Sequence, residues 1–207
     1  MTTIAVCTAW RDHLELAPDY FAAVETGKPD QLVIVDDASD PPLEFAAARM
    51  EEPSGFCTTN NVALALVETD AVVMLNNDVA MLRPTWLQEI RDRVEPGVIL
   101  APLRFDPHGA VDDVDYPYAD GWCLAAMTED LRRIGGWDET YDVAGPAYYS
   151  DNALSFQARM QGMLLRELRP GLRHFGGRTG GQDQVRFELA LAANRVLFGD
   201  QVRETLK

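Results

Sequence analysis

Asn76-Asn77-Asp78 sets three oxygen-bearing side chains directly behind an apolar run, Ala71-Val72-Val73-Met74-Leu75, and polarity falls away again at Val79. A short, uninterrupted apolar run reads as a fully buried strand. Open α/β sheets bind their ligands beyond the carboxyl ends of such strands, which is where this cluster falls. Asp78 is a hard oxygen donor suited to Mg²⁺ or Mn²⁺, and ions of that kind commonly bridge a protein carboxylate to a phosphate. The competing reading is a strand-ending turn, since Asn and Asp are favoured there.

The elements that must position this cluster are legible on both sides of it. Residues 3–9 and 32–35 are apolar runs that read as buried strands, with a helix predicted over 18–25 between them. That is a βαβ unit, whose crossover is right-handed in nearly all folds. Further helices are predicted over 43–50, 59–67 and 85–94, and a strand over 98–101. Residues 105–120 are rich in Asp, Pro and Gly and read as a long functional loop or a small hairpin. Beyond them follow a strand at 121–127, a helix at 129–134, a helix at 150–161 and a last strand at 163–168. The final helix, 183–198, carries Val185, Leu189, Ala192 and Val196 on one predicted inward face. The alternation of strand and helix through the first ~100 residues is what a parallel α/β sheet requires. The expected organisation is one domain over 1–207: a nucleotide-binding half to about residue 100, an acceptor half over 101–182, and a C-terminal helix over 183–207.

Composition bounds the function. The chain has 207 residues, 47% apolar and 25% charged, which suits a soluble globular domain. Its formal charge of −15, from 18 basic and 33 acidic side chains, leaves no basic track for nucleic acid. Cys7, Cys57 and Cys123 lie in apolar surroundings without metal-ligand spacing, so reduced thiols in a cytoplasmic protein are expected. No run approaches the ~18 apolar residues that a membrane span needs, and no signal peptide is expected at the N-terminus.

Several blocks occur in a fixed order: Val35-Asp36-Asp37-Ala38-Ser39; Gly55-Phe56 with Asn60-Asn61; Leu75-Asn76-Asn77-Asp78-Val79; Ile134-Gly135-Gly136-Trp137-Asp138-Glu139; Tyr148-Tyr149-Ser150-Asp151 with Gly162; and His174-Phe175-Gly176-Gly177. Together, over roughly residues 3–180, they resemble the inverting GT-A glycosyltransferases, in particular the bacterial family 2 group that includes rhamnosyltransferase-like enzymes. The resemblance implies an α/β nucleotide-diphospho-sugar transferase fold with a mostly parallel central sheet flanked by helices. It also implies a donor of UDP, dTDP or GDP type, a glycan or other hydroxyl acceptor, and Mn²⁺ or Mg²⁺ as cofactor.

Carried over residue by residue, the resemblance makes Asp37 the reader of the base, with Thr8, Ala9 and Arg11 beside it. An aspartate at a strand end can accept the imide N–H of uracil or thymine; it can equally cap the turn that follows. Asn61 falls close to the sugar nucleotide, or acts as a helix cap. Asp78 matches the last acid of the DXD metal motif, with Asn76 replacing the first. His174 is a further metal ligand or a structural histidine. Asp151 takes the place of the catalytic base, which deprotonates the acceptor hydroxyl in an inverting mechanism; a helix N-terminus also favours Ser150-Asp151-Asn152. Two positions depart from the pattern: Ser150 and Ala153 stand where acids are expected. Arg178 and Thr179 belong to a glycine-rich lid over the diphosphate. Trp122, Tyr116 and Tyr118 are candidates for stacking on an acceptor sugar, whereas Trp137 is expected in the core.

Two other functions fit the same elements. A nucleotidyltransferase would carry a glycine-rich phosphate loop after the first strand, and Ala9-Trp10-Arg11-Asp12 has no glycine. A non-catalytic binding protein of glycosyltransferase type is the reading that Ser150 and Ala153 favour.

Overall fold

The apolar runs at the start of the chain become strands β1 (Ile4–Trp10) and β2 (Gln31–Asp36), joined by helix α1 (Ala17–Gly27). They pair in parallel, from Ala5 against Gln31 to Trp10 against Asp36. The computed structural model describes residues 1–105, 117–143, 146–176 and 184–207. After β2 come β3 (Ala48–Arg49), α2 (Phe56–Ala65), β4 (Ala71–Leu75), β5 (Val79–Met81), α3 (Trp86–Arg91), β6 (Val98–Ala101) and β7 (Leu103–Arg104). The second half supplies β8 (Tyr118–Ala119), β9 (Cys123–Met127), α4 (Thr128–Arg133), α5 (Ser150–Met160), β10 (Leu164–Glu167), β11 (Leu172–His174) and α6 (Gln184–Thr205).

A seven-stranded sheet runs in the order β10-β6-β9-β4-β1-β2-β3. All its pairings are parallel except those of β9, which lies antiparallel between β4 and β6. The fold is therefore α/β with a mostly parallel central sheet flanked by helices, in one domain. Side chains alternate across the strands. Ala5, Cys7, Val33, Val35, Val72 and Met74 face a layer that includes α2 and α5 residues. Ile4, Val6, Trp10, Ile34, Val73 and Leu75 face α1 and α3. Both faces being covered, the strands read as continuous apolar runs, and every residue of β4 is buried.

Three predicted elements differ. Residues 43–50 form a turn and β3, not a helix. The buried Asp36 carboxylate gathers this segment, accepting from the N–H groups of Ser39 (2.8 Å) and Leu43 (3.1 Å) and pairing with Arg49. That holds Ala48–Arg49 alongside β2. The strand at 164–167 is not the last: β11 follows and pairs antiparallel with β5, Val79 opposite His174. On α6 the predicted inward stripe is turned out, with Leu189 66% and Val196 63% exposed, while Ala190, Asn194, Phe198 and Val202 are buried. Polar anchors decide this face: Asn194 donates to the carbonyls of Tyr141 and Pro146, and Gln201 bridges Tyr141 and Asp138. Among the described residues no helix is long and apolar enough to cross a membrane.

Candidate active site

Of the residues expected on the donor side, Ala9, Arg11 and Asp37 lie at the carboxyl ends of β1 and β2. Ala9 pairs with Val35, and the Trp10 carbonyl accepts from Asp37 N–H at 2.8 Å. Asp37 is buried, and its carboxylate accepts the N–H groups of Ser54 (2.6 Å) and Gly55 (3.2 Å). It therefore ties the loop before α2 to the end of β2. Arg11 is exposed next to these groups, 3.9 Å from the Asp12 carboxylate. Thr8 alternates to the opposite face, where its hydroxyl lies fully buried 2.6 Å from Tyr20 Oη. Asn61 is engaged elsewhere. Its Nδ2 donates to the Trp137 carbonyl (2.8 Å) and to Glu139 Oε1 (2.9 Å), and its Oδ1 accepts from Trp137 N–H (2.9 Å). Its amide docks the Gly135-Gly136-Trp137 turn on α2. Arg178, Thr179 and Tyr116 lie outside the described residues.

Asp78 and His174 come together across the β5–β11 ladder. Pairing His174 with Val79 brings the imidazole beside the residue that precedes Val79, and Phe175 N–H adds a 2.9 Å bond to the Asp78 carbonyl. His174 Nε2 stands 3.0 Å from Asp78 Oδ1. That oxygen is nonetheless buried with no hydrogen-bond partner, so the contact is close but not aligned as a hydrogen bond. Asn76 Nδ2 lies 3.4 Å from the same imidazole nitrogen. A buried, unbonded carboxylate oxygen beside an imidazole nitrogen is a donor pair that fits a divalent ion of the Mn²⁺ or Mg²⁺ class. Among the described residues no group of three His, Cys, Asp or Glu side chains converges. Asn77 is buried, and its amide nitrogen has no partner among the described residues.

Asp151 lies in the first turn of α5 and faces the start of β9. Its Oδ2 accepts Gly121 N–H at 3.0 Å, while Oδ1 is sealed from solvent without a hydrogen bond. The Trp137 indole N–H is close enough to steady the carboxylate's charge, yet neither Trp137 Nε1 nor Asp151 Oδ1 completes a hydrogen bond. Burial, followed by the nearby charge of Asp120, pushes the Asp151 carboxyl up to about 7. A carboxyl poised near neutrality suits a general base. Ser150 and Ala153 are buried on either side of it; an acid at either place would add another desolvated charge next to Asp151.

Asp120 is the member of this site that sequence reasoning missed. Within and beside the 105–120 stretch, the β7–β8 ladder sets Leu103 against Ala119 and Arg104 against Tyr118; residues 106–116, on which the loop and hairpin expectations mostly fall, lie outside the described residues. That ladder brings Arg104 into an ion pair with Asp120. The available signal was its place in an Asp-Gly step just ahead of a strand. Asp120-Gly121-Trp122 then spans the site. Gly121 N–H donates to Asp151, the Trp122 carbonyl accepts Asn76 N–H (2.9 Å), and the Trp122 ring stacks on His174. That ring face is covered by the imidazole. Trp137 is in the core as expected, edge-on to Phe56.

The sequence matches no family model and no curated protein. Solved structures do share the fold. The mannosyltransferase PcManGT from Pyrobaculum calidifontis, solved in complex with GDP-Man and Mn²⁺, is similar with a TM-score of 0.66 at 16% identity, over 93% of this chain and 64% of that one. S. aureus TarS is similar with a TM-score of 0.58 at 14% identity, over 80% of this chain and 35% of that one. The catalytic domain of Drosophila beta1,4galactosyltransferase 7, solved with xylobiose, gives a TM-score of 0.59 at 15% identity, over 92% and 79%. The chain thus spans less than two thirds of the length of the first two.

Proposed function

We propose that this chain is a divalent-metal-dependent, inverting glycosyltransferase that moves a sugar from a nucleoside-diphosphate donor to an acceptor hydroxyl. The observation that carries the reading is the pair formed by Asp78 Oδ1, buried and unbonded, and His174 Nε2, 3.0 Å away. The fold it shares with a mannosyltransferase solved with GDP-Man and Mn²⁺ supports it, as does the block order that resembles family 2 enzymes. Ala9, Arg11 and Asp37 would meet the nucleotide, and Arg178 would close over the diphosphate. Asp78 and His174, with Asn76 alongside, would hold the cation. When bound, that ion supplies Lewis-acid charge to the diphosphate leaving group.

Asp151 takes the proton of the acceptor hydroxyl. The freed oxygen attacks the anomeric carbon, and the bond from that carbon to the diphosphate breaks, so the nucleoside diphosphate leaves with the bonding electron pair. Gly121 N–H holds one carboxylate oxygen during this transfer, which fixes the direction in which the base presents its lone pairs. The three buried thiols support a reducing compartment such as the cytoplasm.

A second reading, a donor-binding protein without transfer activity, is favoured by one observation. Ser150 and Ala153, buried beside Asp151, stand where the resemblance expects acids. One experiment separates the two. UDP-, dTDP- and GDP-sugars are tested with Mn²⁺ or chelator for thermal stabilisation and for release of nucleoside diphosphate. A donor at ~100 times its dissociation constant adds about 2.7 kcal/mol. Metal-dependent stabilisation with release that Asp151→Asn abolishes supports the transferase. Stabilisation without release supports the binder, and no shift with any nucleotide sinks both.

A further inference from the structure

Asp151 is not the only carboxylate at this position. Asp120 is adjacent to the glycine whose N–H binds Asp151 Oδ2 at 3.0 Å, and its own carboxylate is held by Arg104. The peptide between them lies directly against the base: a Cβ at Gly121 would stand 2.3 Å from Asp151 Oδ1. Asp120 cannot drift from this position, because its N–H donates to the Pro102 carbonyl at 2.8 Å and Ala119 N–H donates to Ser155 Oγ at 2.9 Å, on the helix that carries Asp151. The backbone leading into Asp120 is thus fixed, one part beside β7 and one to α5, and Gly121 N–H fixes the backbone after it.

We propose that Asp120, clamped by Arg104, is a positioning residue for Asp151, supplying a fixed second negative charge that keeps the base able to take a hydroxyl proton near neutral pH. Its catalytic meaning rests on the glycosyltransferase reading; its physical content does not. Two like charges at one site disfavour ionisation of both, whereas a cation restores it. Among the described residues, the groups that act on Asp151 each have a direction. Asp120 opposes its ionisation, while Gly121 N–H, the Trp137 indole and Arg104 favour it, and burial opposes it most. From α2, the Cys57 thiol is pushed up by burial and by the charges of Asp142 and Asp151, and so stays neutral beside the base. Burial raises the Asp120 carboxyl, with Arg104 and His174 drawing it back toward ionisation. Arg104 therefore acts twice: it holds Asp120 in place, and it favours the charged form through which Asp120 acts on Asp151.

The test reads Asp151 directly. Carboxyl-¹³C aspartate is incorporated into the full chain, and the Asp151 resonance is assigned by its loss in Asp151→Asn. The expected wild-type midpoint is about 7, falling in Asp120→Asn by about half a pH unit or more. The rising limb of kcat against pH moves by the same amount, and the donor KM changes less than about twofold. Asp120→Ser gives the same measurement if the Asn variant does not fold. A wild-type midpoint in the ordinary carboxylate range, or one that neither variant moves, overturns the proposal. Absence of any transfer by wild type would instead remove the glycosyltransferase reading, and the NMR titration would still decide the role of Asp120.

Discussion

The indole of Trp122 lies flat on the imidazole of His174, with ring centroids 4.8 Å apart and planes within 6°. Stacking fixes the plane of the imidazole, and with it the direction in which Nε2 points toward Asp78. Because Trp122 follows Gly121, the turn before β9 that binds Asp151 also sets the orientation of the proposed metal ligand. Trp122→Ala should therefore weaken Mn²⁺ binding by about 10–100-fold, the usual scale for removing a group that orients a ligand. Trp122→Phe should keep most of the affinity. Calorimetric titration of Mn²⁺ in the presence of a nucleoside diphosphate measures both; equal affinities in wild type and Trp122→Ala would sever this link.

Gly121 is required by proximity. With Asp151 Oδ1 only 2.3 Å from where its Cβ would be, an alanine forces the carboxylate or β9 to move. Displacing a catalytic group by about 1 Å costs on the order of 100-fold in rate. Gly121→Ala should lower kcat by about that factor and leave the donor KM nearly unchanged, since the donor-side residues lie at the ends of other strands. A rate within about threefold of wild type would mean that the site adapts freely and that the base needs no fixed direction.

How far the sequence foretold this arrangement depended on the range of the interactions involved. The strands at 71–75 and 98–101 were legible because each is a short apolar run covered on both faces. Asp78 was legible because it follows such a run. Asp120 was not, because its charge reaches Asp151 only through the fold, and no local pattern encodes that approach. Residues 43–50 have helical composition, but the buried Asp36 carboxylate recruits Ser39, Leu43 and Arg49 and overrides it. The face of α6 was misjudged for a similar reason: Asn194 and Gln201 make the docking contacts, and apolar periodicity cannot weigh them. Asn61 is expected near the sugar nucleotide or as a helix cap, and neither expectation weighs the distant turn that its amide serves at Trp137.

The N-terminus of α2 depends on a distant carboxylate. Its first turn has no cap of its own, since Gly55 precedes it with φ +99°. Asp142 fills the role from 84 to 85 residues away, accepting Cys57 N–H (3.0 Å), Thr58 N–H (2.8 Å) and Thr58 Oγ1–H (3.0 Å). Gly55 is needed there because any Cβ would lie 2.5 Å from Asp142 Cγ. Loss of a capping side chain costs about 0.5–2 kcal/mol, and three bonds from one carboxylate put Asp142→Ala at the upper end. A chain of this size should lose about 4–8 °C in melting temperature. Asp142→Asn, which retains one acceptor oxygen, should lose roughly half as much. Thermal unfolding by circular dichroism checks both, and a melting temperature unchanged in Asp142→Ala would show that α2 is capped by solvent.

The raised Asp151 carboxyl also has a signature in stability. With a folded value of about 7 and an unfolded value near 4, the native chain holds a proton in this window that the unfolded chain has released. Stability linked to this group is therefore fully present below about pH 4, falls as pH rises toward 7, and levels off above. At pH 8 the wild type carries a desolvated carboxylate beside Asp120, whereas Asp151→Asn carries a neutral amide whose oxygen can still accept Gly121 N–H. The Asn variant should be the more stable protein at pH 8, by on the order of 2 kcal/mol, or about 4–8 °C. The two should converge as pH falls to 4 and below, where the wild-type carboxyl is protonated in the folded chain and progressively so in the unfolded one. Under the proposed mechanism, transfer activity is lost in the same variant, so the residue that destabilises the fold at neutral pH is the one proposed as the base. Paired melting curves from pH 4 to 8 measure the gap, and a gap that does not widen with pH would mean that Asp151 titrates like any exposed carboxylate.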